Sequence, residues 1–223
     1  MTERGMLFSA PMVRALLDGR KTQTRRPINR LRGFGPITEF QPSYTPGYDW
    51  TFRDKRMRWN DITEERLMQC CPWQVGDHIV VRETWTAGYQ YGCWGTIFRA
   101  DGAFVQGKRK HAKGPYFHAK ELGPHISWRP SIHLPNWASR LVREIDHIGH
   151  DPVQAISEED AIDEGVSKLP LAMMKTWTPS GPDNGTPIPM RGVFAQLWDS
   201  TYGPGSWERN GWVWALTFKM VGR

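Results

Sequence analysis

Apolar side chains near the start of the chain recur at two different spacings. Residues 6–8 form a short apolar run that predicts a strand, and residues 9–18 place apolar side chains on one face of a short helix. Ser9 suits the N-cap of this helix, and Gly19 stands where it should end, because the residue just past a helix often takes the left-handed conformation. The pattern therefore predicts a strand, a short helix and an abrupt turn into Arg20.

Short strands and short helices alternate along the rest of the chain. Apolar and β-branched runs between turn residues predict the strands, and capped segments with apolar residues three or four apart predict the helices. We predict strands at 78–85 and 141–148, a hairpin at 96–105, helices at 157–165 and 193–202, and a last strand at 212–221. In the last strand, alternate residues from Trp212 to Met220 are expected to share one face.

Three polar segments without clear periodicity interrupt these elements. They lie near 30–72, 106–126 and 168–190, and each is rich in glycine, proline or basic residues; the first holds a candidate short helix at 63–68. No repeat and no linker separates two cores, so we predict a single domain over 1–223 with three irregular surface insertions. Several separated strands with few short helices predict an α+β fold, a compact mixed β-barrel with helices at its ends.

Composition adds a basic balance to this picture. The 223 residues include 29 lysines and arginines against 23 aspartates and glutamates, for a formal net charge of +6. This balance is compatible with binding nucleic acid without requiring it. The chain has no long apolar run and no apolar signal-peptide core near Met1, so we expect a cytoplasmic protein with no membrane partner.

The three cysteines give no metal or disulfide pattern. Cys70 and Cys71 are adjacent, Cys93 is distant from both, and none has the spacing CxxC. A metal site made of these thiols and His78 would need vicinal cysteines to point at one ion, which they rarely do. We therefore expect reduced thiols, no metal and no cofactor.

The most informative polar cluster is Gly19–Arg26, with the sequence GRKTQTRR. Lys21 supplies an amine, Thr24 a hydroxyl and Arg26 a guanidinium. A turn at Gly19 would let Lys21 and Thr24 face the same way. The simplest interpretation of such a segment is a solvated basic turn.

The pattern Gly19-x-Lys21-x-x-Thr24-x-Arg26 resembles the GxKxxTxR motif of the ASCH family, a group of small PUA-like β-barrels. The segment 75–85, which contains VGD and VRETW, is similar to the GD…VRE(T/S)W strand of that family, above all in its phage and prophage members. Later segments extend the similarity through 128–135, 156–165 and the tail from residue 197 onward. The similarity spans most of the chain and leaves out only the three long insertions. The resemblance implies a PUA-like mixed β-barrel with short flanking helices.

The ASCH resemblance also implies recognition of RNA or of a nucleotide. One bacterial branch resembles an amidohydrolase that removes the acetyl group from acetylcytidine, and Lys21, Thr24 and Glu83 fall on its catalytic positions. By the same resemblance, Gly19, Arg26 and Trp85 are expected to bind the substrate. That branch is much shorter than this chain, and the insertions could close, widen or replace its pocket. A phage-encoded member would work in the host cytoplasm.

The proposed residues suit amide hydrolysis on chemical grounds. Thr24 would attack the amide, and Lys21 would take its proton. A lysine does this only when neutral, so its pKa must fall from ~10.4 towards ~7–8. If Glu83 lies against Lys21, the amine stays charged and acts as an anchor. If Glu83 instead meets Arg26 or a ligand amine, Lys21 can be the base.

The same side chains also fit a protein that binds without reacting. Lys21 and Arg26 would hold a phosphate or a carbonyl oxygen. Glu83 would accept hydrogen bonds from the exocyclic amine of a cytosine-like base, and Trp85 or Trp94 would stack on its ring. The partner would then be RNA or a modified base.

Structural roles are open for these residues as well. Glu83 would then pair with Arg82 or Arg99, and Trp85 would belong to the core. A third function is that of a phage protein whose loops and aromatic surface engage a host protein. The expected partners are therefore a modified nucleoside, RNA or a host protein.

Overall fold

The computed structural model describes residues 2–90, 93–106, 127–166 and 189–221. The predicted insertions at 106–126 and 168–190 therefore lie almost wholly outside the described residues. Where the sequence predicts one domain over 1–223, the chain divides into two compact units that interleave along the sequence. The first unit comprises 1–21, 76–144 and 218–223, and the second comprises 22–75 and 145–217.

The elements are short, and strands outnumber helices among the described residues. In chain order they are β1 (Glu3–Leu7), α1 (Ala10–Leu17), β2 (Gln23–Pro27), β3 (Arg30–Leu31), β4 (Gly35–Pro42), β5 (Trp50–Asp54), β6 (Trp59–Ile62), α2 (Glu64–Cys70), β7 (His78–Arg82), β8 (Trp85–Gln90), β9 (Cys93–Phe98), β10 (Phe104–Gln106), β11 (Val142–Pro152), α3 (Glu158–Asp163), α4 (Met190–Tyr202) and β12 (Trp212–Met220). The predicted α+β class is confirmed. The described strands form separate sheets without a closed barrel, so the PUA-like barrel stays a prediction.

Strands from two sheets build the first unit: part of the five-stranded sheet of order β1-β7-β11-β12-β2 and the three-stranded sheet of order β10-β9-β8. β1 runs parallel to β7, with Gly5 opposite Val80. The start of β11 pairs antiparallel with β7, with Val142 opposite Val80. β8, β9 and β10 form an antiparallel sheet, and the turn from β9 into β10 is the predicted hairpin. A core cluster of Trp85, Phe98, Leu134 and Ala138 lies against it.

In the second unit, the segment 30–72 is a folded sheet and not the predicted irregular insertion. β3, β4, β5 and β6 form a four-stranded antiparallel sheet, and α2 follows it. Two features remove the alternation of apolar and polar residues that would predict these strands. Glu39 adopts a positive φ of 53° where the register of β4 shifts, and β5 buries consecutive residues. The predicted helix near 63–68 is confirmed, with the Thr63 hydroxyl accepting the Arg66 N–H.

Aromatic side chains fill the interior beside this sheet. Phe40 stacks on Trp50 with ring centroids 5.2 Å apart, and Trp50 packs edge-on against Trp212 at 4.5 Å. Glu64 accepts the indole N–H of Trp50 at 2.7 Å and lies 2.8 Å from His150 Nε2. Much of the tryptophan content therefore serves packing.

The last strand differs from its predicted alternation. β12 buries Trp214, Leu216 and Phe218 as expected, but Val213 is equally buried and Met220 is 71% exposed. A strand covered on both faces shows a continuous apolar run, so the two-residue period does not apply here. None of the helices in the described ranges is long and apolar enough to cross a membrane.

The end of α1 is the turn that the sequence predicts. Gly19 has φ of +72°, its N–H donates to Leu16 O at 3.3 Å, and the Arg20 N–H donates to Ala15 O at 3.0 Å. These two bonds make a Schellman motif, which closes a helix through a left-handed residue. The Lys21 N–H also donates to Ala15 O at 3.1 Å, so the turn fixes the backbone from which Lys21 projects.

We predict that Gly19→Ala destabilises the protein, because a Cβ in the left-handed conformation costs about 1–2 kcal/mol. A Cβ at Gly19 would meet no atom within 4 Å, so the loss reports backbone strain and not a clash. The free energy of unfolding in urea measures it.

Gly192→Ala is the matched control. Gly192 lies inside α4, its φ is not in the positive range, and its Cβ would also meet open space. Alanine there should stabilise the protein by about 0.5–1 kcal/mol. Equal effects of the two substitutions would contradict the role given to the Gly19 turn.

Candidate functional site

Two of the three predicted catalytic residues, Lys21 and Glu83, lie in the first unit, where Lys21 follows the turn after α1 and Glu83 follows the carboxyl end of β7. The Phe8 N–H, just after β1, donates to Arg82 O at the end of β7 at 3.1 Å, so Phe8 and Glu83 leave the sheet side by side. Lys21 Nζ lies 5.9 Å from the centroid of the Phe8 ring. Lys21 and Glu83 are 3% and 1% exposed, so both side chains are buried.

The Glu83 carboxylate is held by Arg140. Arg140 Nε donates to Glu83 Oε1 at 2.8 Å, and Nη2 donates to Oε2 at 2.9 Å, which is a bidentate pair. The same guanidinium donates to Asp101 from Nη1 at 2.7 Å and from Nη2 at 3.0 Å. Its carbon lies 4.3 Å from the centroid of the Phe98 ring. One arginine therefore joins two carboxylates and packs on an aromatic ring, with four of its five N–H donors in these bonds.

Backbone contacts explain why Arg140 points there. The Ser139 hydroxyl donates to Val81 O at 2.9 Å, and the Val81 N–H donates to Leu141 O at 3.0 Å. The residues on both sides of Arg140 are thus bonded to β7 next to Glu83. Asp101 lies in the β9–β10 turn, where its Oδ1 accepts the Ala103 N–H at 3.1 Å.

The three ionisable groups titrate differently. Burial raises the pKa of the Glu83 carboxyl, although the hydrogen bonds and charge of Arg140 act in the opposite direction. Burial also pushes up the pKa of Asp101, but the hydrogen bonds from Arg140 and Ala103 outweigh it and leave the pKa lowered. Burial opposes the charge of Arg140, yet its bonds to both carboxylates raise the pKa of the guanidinium. As the pH falls, Glu83 is therefore the carboxyl of this triad that protonates first.

The partner of Glu83 is one that sequence reasoning missed. The structural alternative paired Glu83 with Arg82 or Arg99, and this is wrong: both carboxylate oxygens accept from Arg140. Arg82 instead donates to Ile132 O at 2.9 Å and to Asn136 Oδ1 at 3.0 Å. Glu83 and Arg140 are 57 residues apart in sequence, so no local sequence pattern predicts that they pair.

A further buried cation supports the turn that carries Lys21. Arg143 is 4% exposed and donates to Val142 O at 2.9 Å and to Leu16 O at 2.7 Å. Burial lowers the pKa of its guanidinium. Its position at the last turn of α1 complements the negative end of the helix dipole.

The remaining motif residues belong to the second unit. Thr24 is 4% exposed and stands opposite Leu216 in the β2–β12 pair, where Arg26 stands opposite Trp214. The unit boundary falls directly after Lys21. The convergence of Lys21, Thr24 and Glu83 in one pocket therefore stays a prediction.

β2 is fixed by acidic residues of α3 and its end, which the sequence did not assign to it. Asp160 accepts from Gln23 at 3.1 Å and from the Arg25 guanidinium at 2.9 Å, while Glu164 accepts the Arg25 N–H. The sequence predicts Asp160 only as part of a capping box with Ser157, and this capping box is confirmed. Its second partner lies far along the chain, so the local pattern could not reveal it.

Trp85 lies in the core beside this site. It is 7% exposed, and the Arg129 guanidinium lies 4.9 Å from its ring centroid. Its indole Nε1 is buried and has no hydrogen-bond partner among the described residues. The predicted role of Trp85 in substrate binding stays a prediction. In the described ranges, no cluster of three or more histidine, cysteine, aspartate or glutamate residues is placed to hold a metal.

We predict that Arg140→Met destabilises the protein by about 3–5 kcal/mol near neutral pH, because it leaves the buried Glu83 carboxylate without its partner. Without Arg140, native Glu83 holds its proton to a higher pH than the unfolded chain does. The deficit in the free energy of unfolding should therefore grow from about pH 5 to about pH 8. Urea denaturation across this range measures it.

Arg82→Met removes an arginine whose partners are a carbonyl and an amide, so it strands no carboxylate. Its loss of stability should be smaller and nearly independent of pH. An Arg140→Met deficit that is as flat with pH as the Arg82→Met deficit would show that Glu83 does not depend on Arg140.

The chain was compared with known proteins at the level of families, single proteins and structures. No family model matches it, and no curated protein and no solved structure matches it either. The chemistry of the site is therefore inferred from the positions and contacts of its own side chains.

Proposed function

We propose that this protein has the PUA-like fold of the ASCH type and hydrolyses the amide of an acylated pyrimidine nucleoside, of which acetylcytidine is the simplest example. The observation that supports this most is the buried Glu83 carboxylate, fixed by both Arg140 bonds in the unit where Lys21 is also buried. A fixed, buried carboxylate and a buried amine in the same unit fit polar recognition and proton transfer better than they fit a solvated basic turn.

Glu83 has hydrogen-bonding capacity left for a ligand. A carboxylate has about four lone-pair directions, and Arg140 uses two of them in Glu83. The free directions would accept the N–H of the scissile amide or the amine that leaves. Because Arg140 already supplies a counter-charge to Glu83, the arrangement favours the alternative in which Lys21 acts as the base and not as the anchor of Glu83.

The reaction would run in two steps at Thr24. Lys21, as the neutral amine, takes the hydroxyl proton of Thr24 while the oxygen bonds to the amide carbonyl carbon. The C–N bond then breaks, and the proton on Lys21 passes to the leaving nucleoside amine. Water hydrolyses the resulting ester, which releases the acid and restores Thr24. Arg26, Gly19 and Trp85 would hold the substrate.

We predict that Lys21→Arg and Thr24→Ala each lower kcat on acetylcytidine by roughly 10²–10⁴-fold, since each removes a group used in the transition state. Lys21→Arg replaces an amine that can accept a proton with a guanidinium that stays protonated, so kcat should fall much more than KM changes if Lys21 is the base. Thr24→Ser keeps a hydroxyl and should retain measurable turnover. Chromatography of released cytidine follows the reaction.

Thr22→Ala is the matched control for Thr24→Ala, because it removes a hydroxyl from the same segment outside the motif. It should leave kcat unchanged. If folded wild-type protein turns over none of a panel of acylated cytosines, this substrate assignment is wrong. If Lys21→Arg retains full kcat, Lys21 is not the base.

A second candidate function is binding of RNA or of a modified base without reaction. The observation in its favour is that Arg140 fixes Glu83 as a hydrogen-bond acceptor, which is sufficient to recognise the exocyclic amine of a cytosine-like base.

For a binder, Glu83→Gln should weaken the affinity for cytidine by roughly 5–100-fold, because an amide replaces the charged acceptor. Titration calorimetry measures this Kd. Asp101→Asn is the control, since Asp101 contacts the same Arg140 guanidinium at the more exposed end of the triad. If both variants weaken binding equally, the effect comes from disturbing Arg140 and not from loss of the Glu83 acceptor.

A further inference from the structure

The turn between β5 and β6 in the second unit carries a dense positive charge. Residues 53–59, RDKRMRW, are called the basic hairpin here; four of the seven are arginine or lysine. The side chains of Lys55 and Arg56 are exposed and make no hydrogen bond or ion pair with other described residues. These two charges are therefore available to a ligand.

A buried aspartate fixes the tip of this hairpin. Asp54 is 6% exposed, and its Oδ1 accepts the N–H of Arg56 at 2.8 Å and of Arg58 at 3.0 Å. Its Oδ2 accepts from the Arg58 guanidinium at 3.0 and 2.7 Å. These bonds, above all the one from the Arg58 side chain, lower the pKa of Asp54 to about 2. The carboxylate thus neutralises Arg58 and organises the turn without covering Lys55 or Arg56.

The backbone of the tip is strained in the way that functional turns often are. Met57 adopts a positive φ of 60°, which is unfavourable for a residue with a Cβ. The bonds to Asp54 hold it there, and the Met57 side chain is 58% exposed. The hairpin therefore presents a fixed tip and not a loose basic loop.

An aromatic ring lies at the base of the same hairpin, where Trp59 stands opposite Arg53. Trp59 is 48% exposed, although a tryptophan on a sheet is usually covered. The Arg53 guanidinium carbon lies 4.7 Å from its ring centroid, and Arg53 Nη1 lies 3.3 Å from Glu39 Oε1. Arg53 covers part of the ring and holds it, while the rest faces solvent.

We propose that the basic hairpin binds a single-stranded polynucleotide, with Lys55 and Arg56 on phosphates and Trp59 stacked on a base. An exposed ring and two available cations on one hairpin match the alternation of bases and phosphates along an unpaired strand. A membrane surface would need a broader apolar face than Met57 and Trp59 provide. The site shares no residue with the triad of Glu83, Arg140 and Asp101, so it does not depend on the proposed hydrolysis.

The test is fluorescence anisotropy of the full chain with labelled single-stranded RNA and DNA of one sequence, at several salt concentrations. The variant Lys55→Ala/Arg56→Ala should weaken binding and reduce the slope of log affinity against log salt by about 1.4, or about 0.7 for each lost phosphate contact. Trp59→Ala should weaken binding about 5–100-fold and leave the salt slope unchanged. Trp59→Phe, which keeps a ring, should recover part of the loss.

The matched control is Arg66→Ala/Arg209→Ala, which removes two exposed arginines from the same unit. It should change affinity and salt slope much less than the hairpin double variant. Equal RNA and DNA affinities would indicate that phosphates and base faces suffice, and an RNA preference would add a 2′-hydroxyl contact; both support the proposal when they depend on the hairpin.

Three results would overturn the proposal. One is a control variant that weakens binding as much as Lys55→Ala/Arg56→Ala, since binding would then follow overall charge. Another is full affinity in Trp59→Ala. The third is a hairpin that is needed for binding anionic phospholipid vesicles but not oligonucleotides. Urea midpoints near that of wild type show that the variants are folded.

Discussion

The order of the first unit depends on the guanidinium of Arg140, which lies between two carboxylates. It meets Glu83 at the end of β7, Asp101 in the β9–β10 turn and the ring of Phe98. These groups come from two different sheets, and Arg140 itself precedes β11. A single side chain thus ties together three segments of the unit: the end of β7, the β9–β10 turn and the residues just before β11. Because Glu83 is almost fully buried, its charge is tolerable only while this partner is present.

The surroundings of Lys21 follow a different rule, since they are fixed by local backbone geometry. The Schellman turn at Gly19 ends α1 and sets the direction of the next two residues, and Arg143 reinforces the same turn through Leu16 O. The carboxylate is thus positioned through a distant partner, while the amine is positioned by its own neighbours in sequence. Both arrangements limit movement of a buried charge, which is what a polar site in a protein interior requires.

How far the sequence predicts this molecule depends on the range of the interaction concerned. The end of α1 at Gly19 and the capping box of Ser157 and Asp160 are visible in the sequence because their partners lie within five residues. The sheet of β3 to β6 is not visible, because a bulge near Glu39 and buried consecutive residues remove the two-residue period. The site is predictable only in part for the same reason: a motif marks Lys21 and Glu83, whereas nothing near Glu83 in the sequence identifies Arg140 as its partner.

The interleaving of the two units has a consequence for how the protein can be divided. The first unit takes residues from three separate stretches, and the paired residues of its strands β1 and β7 are 75 apart in sequence, as are Thr2 and Asp77, which are also hydrogen-bonded. No continuous fragment contains this unit without also containing the second one. Dissection into independently expressed halves would therefore separate strands that belong to one sheet, and a circular permutation would preserve the unit where a truncation destroys it.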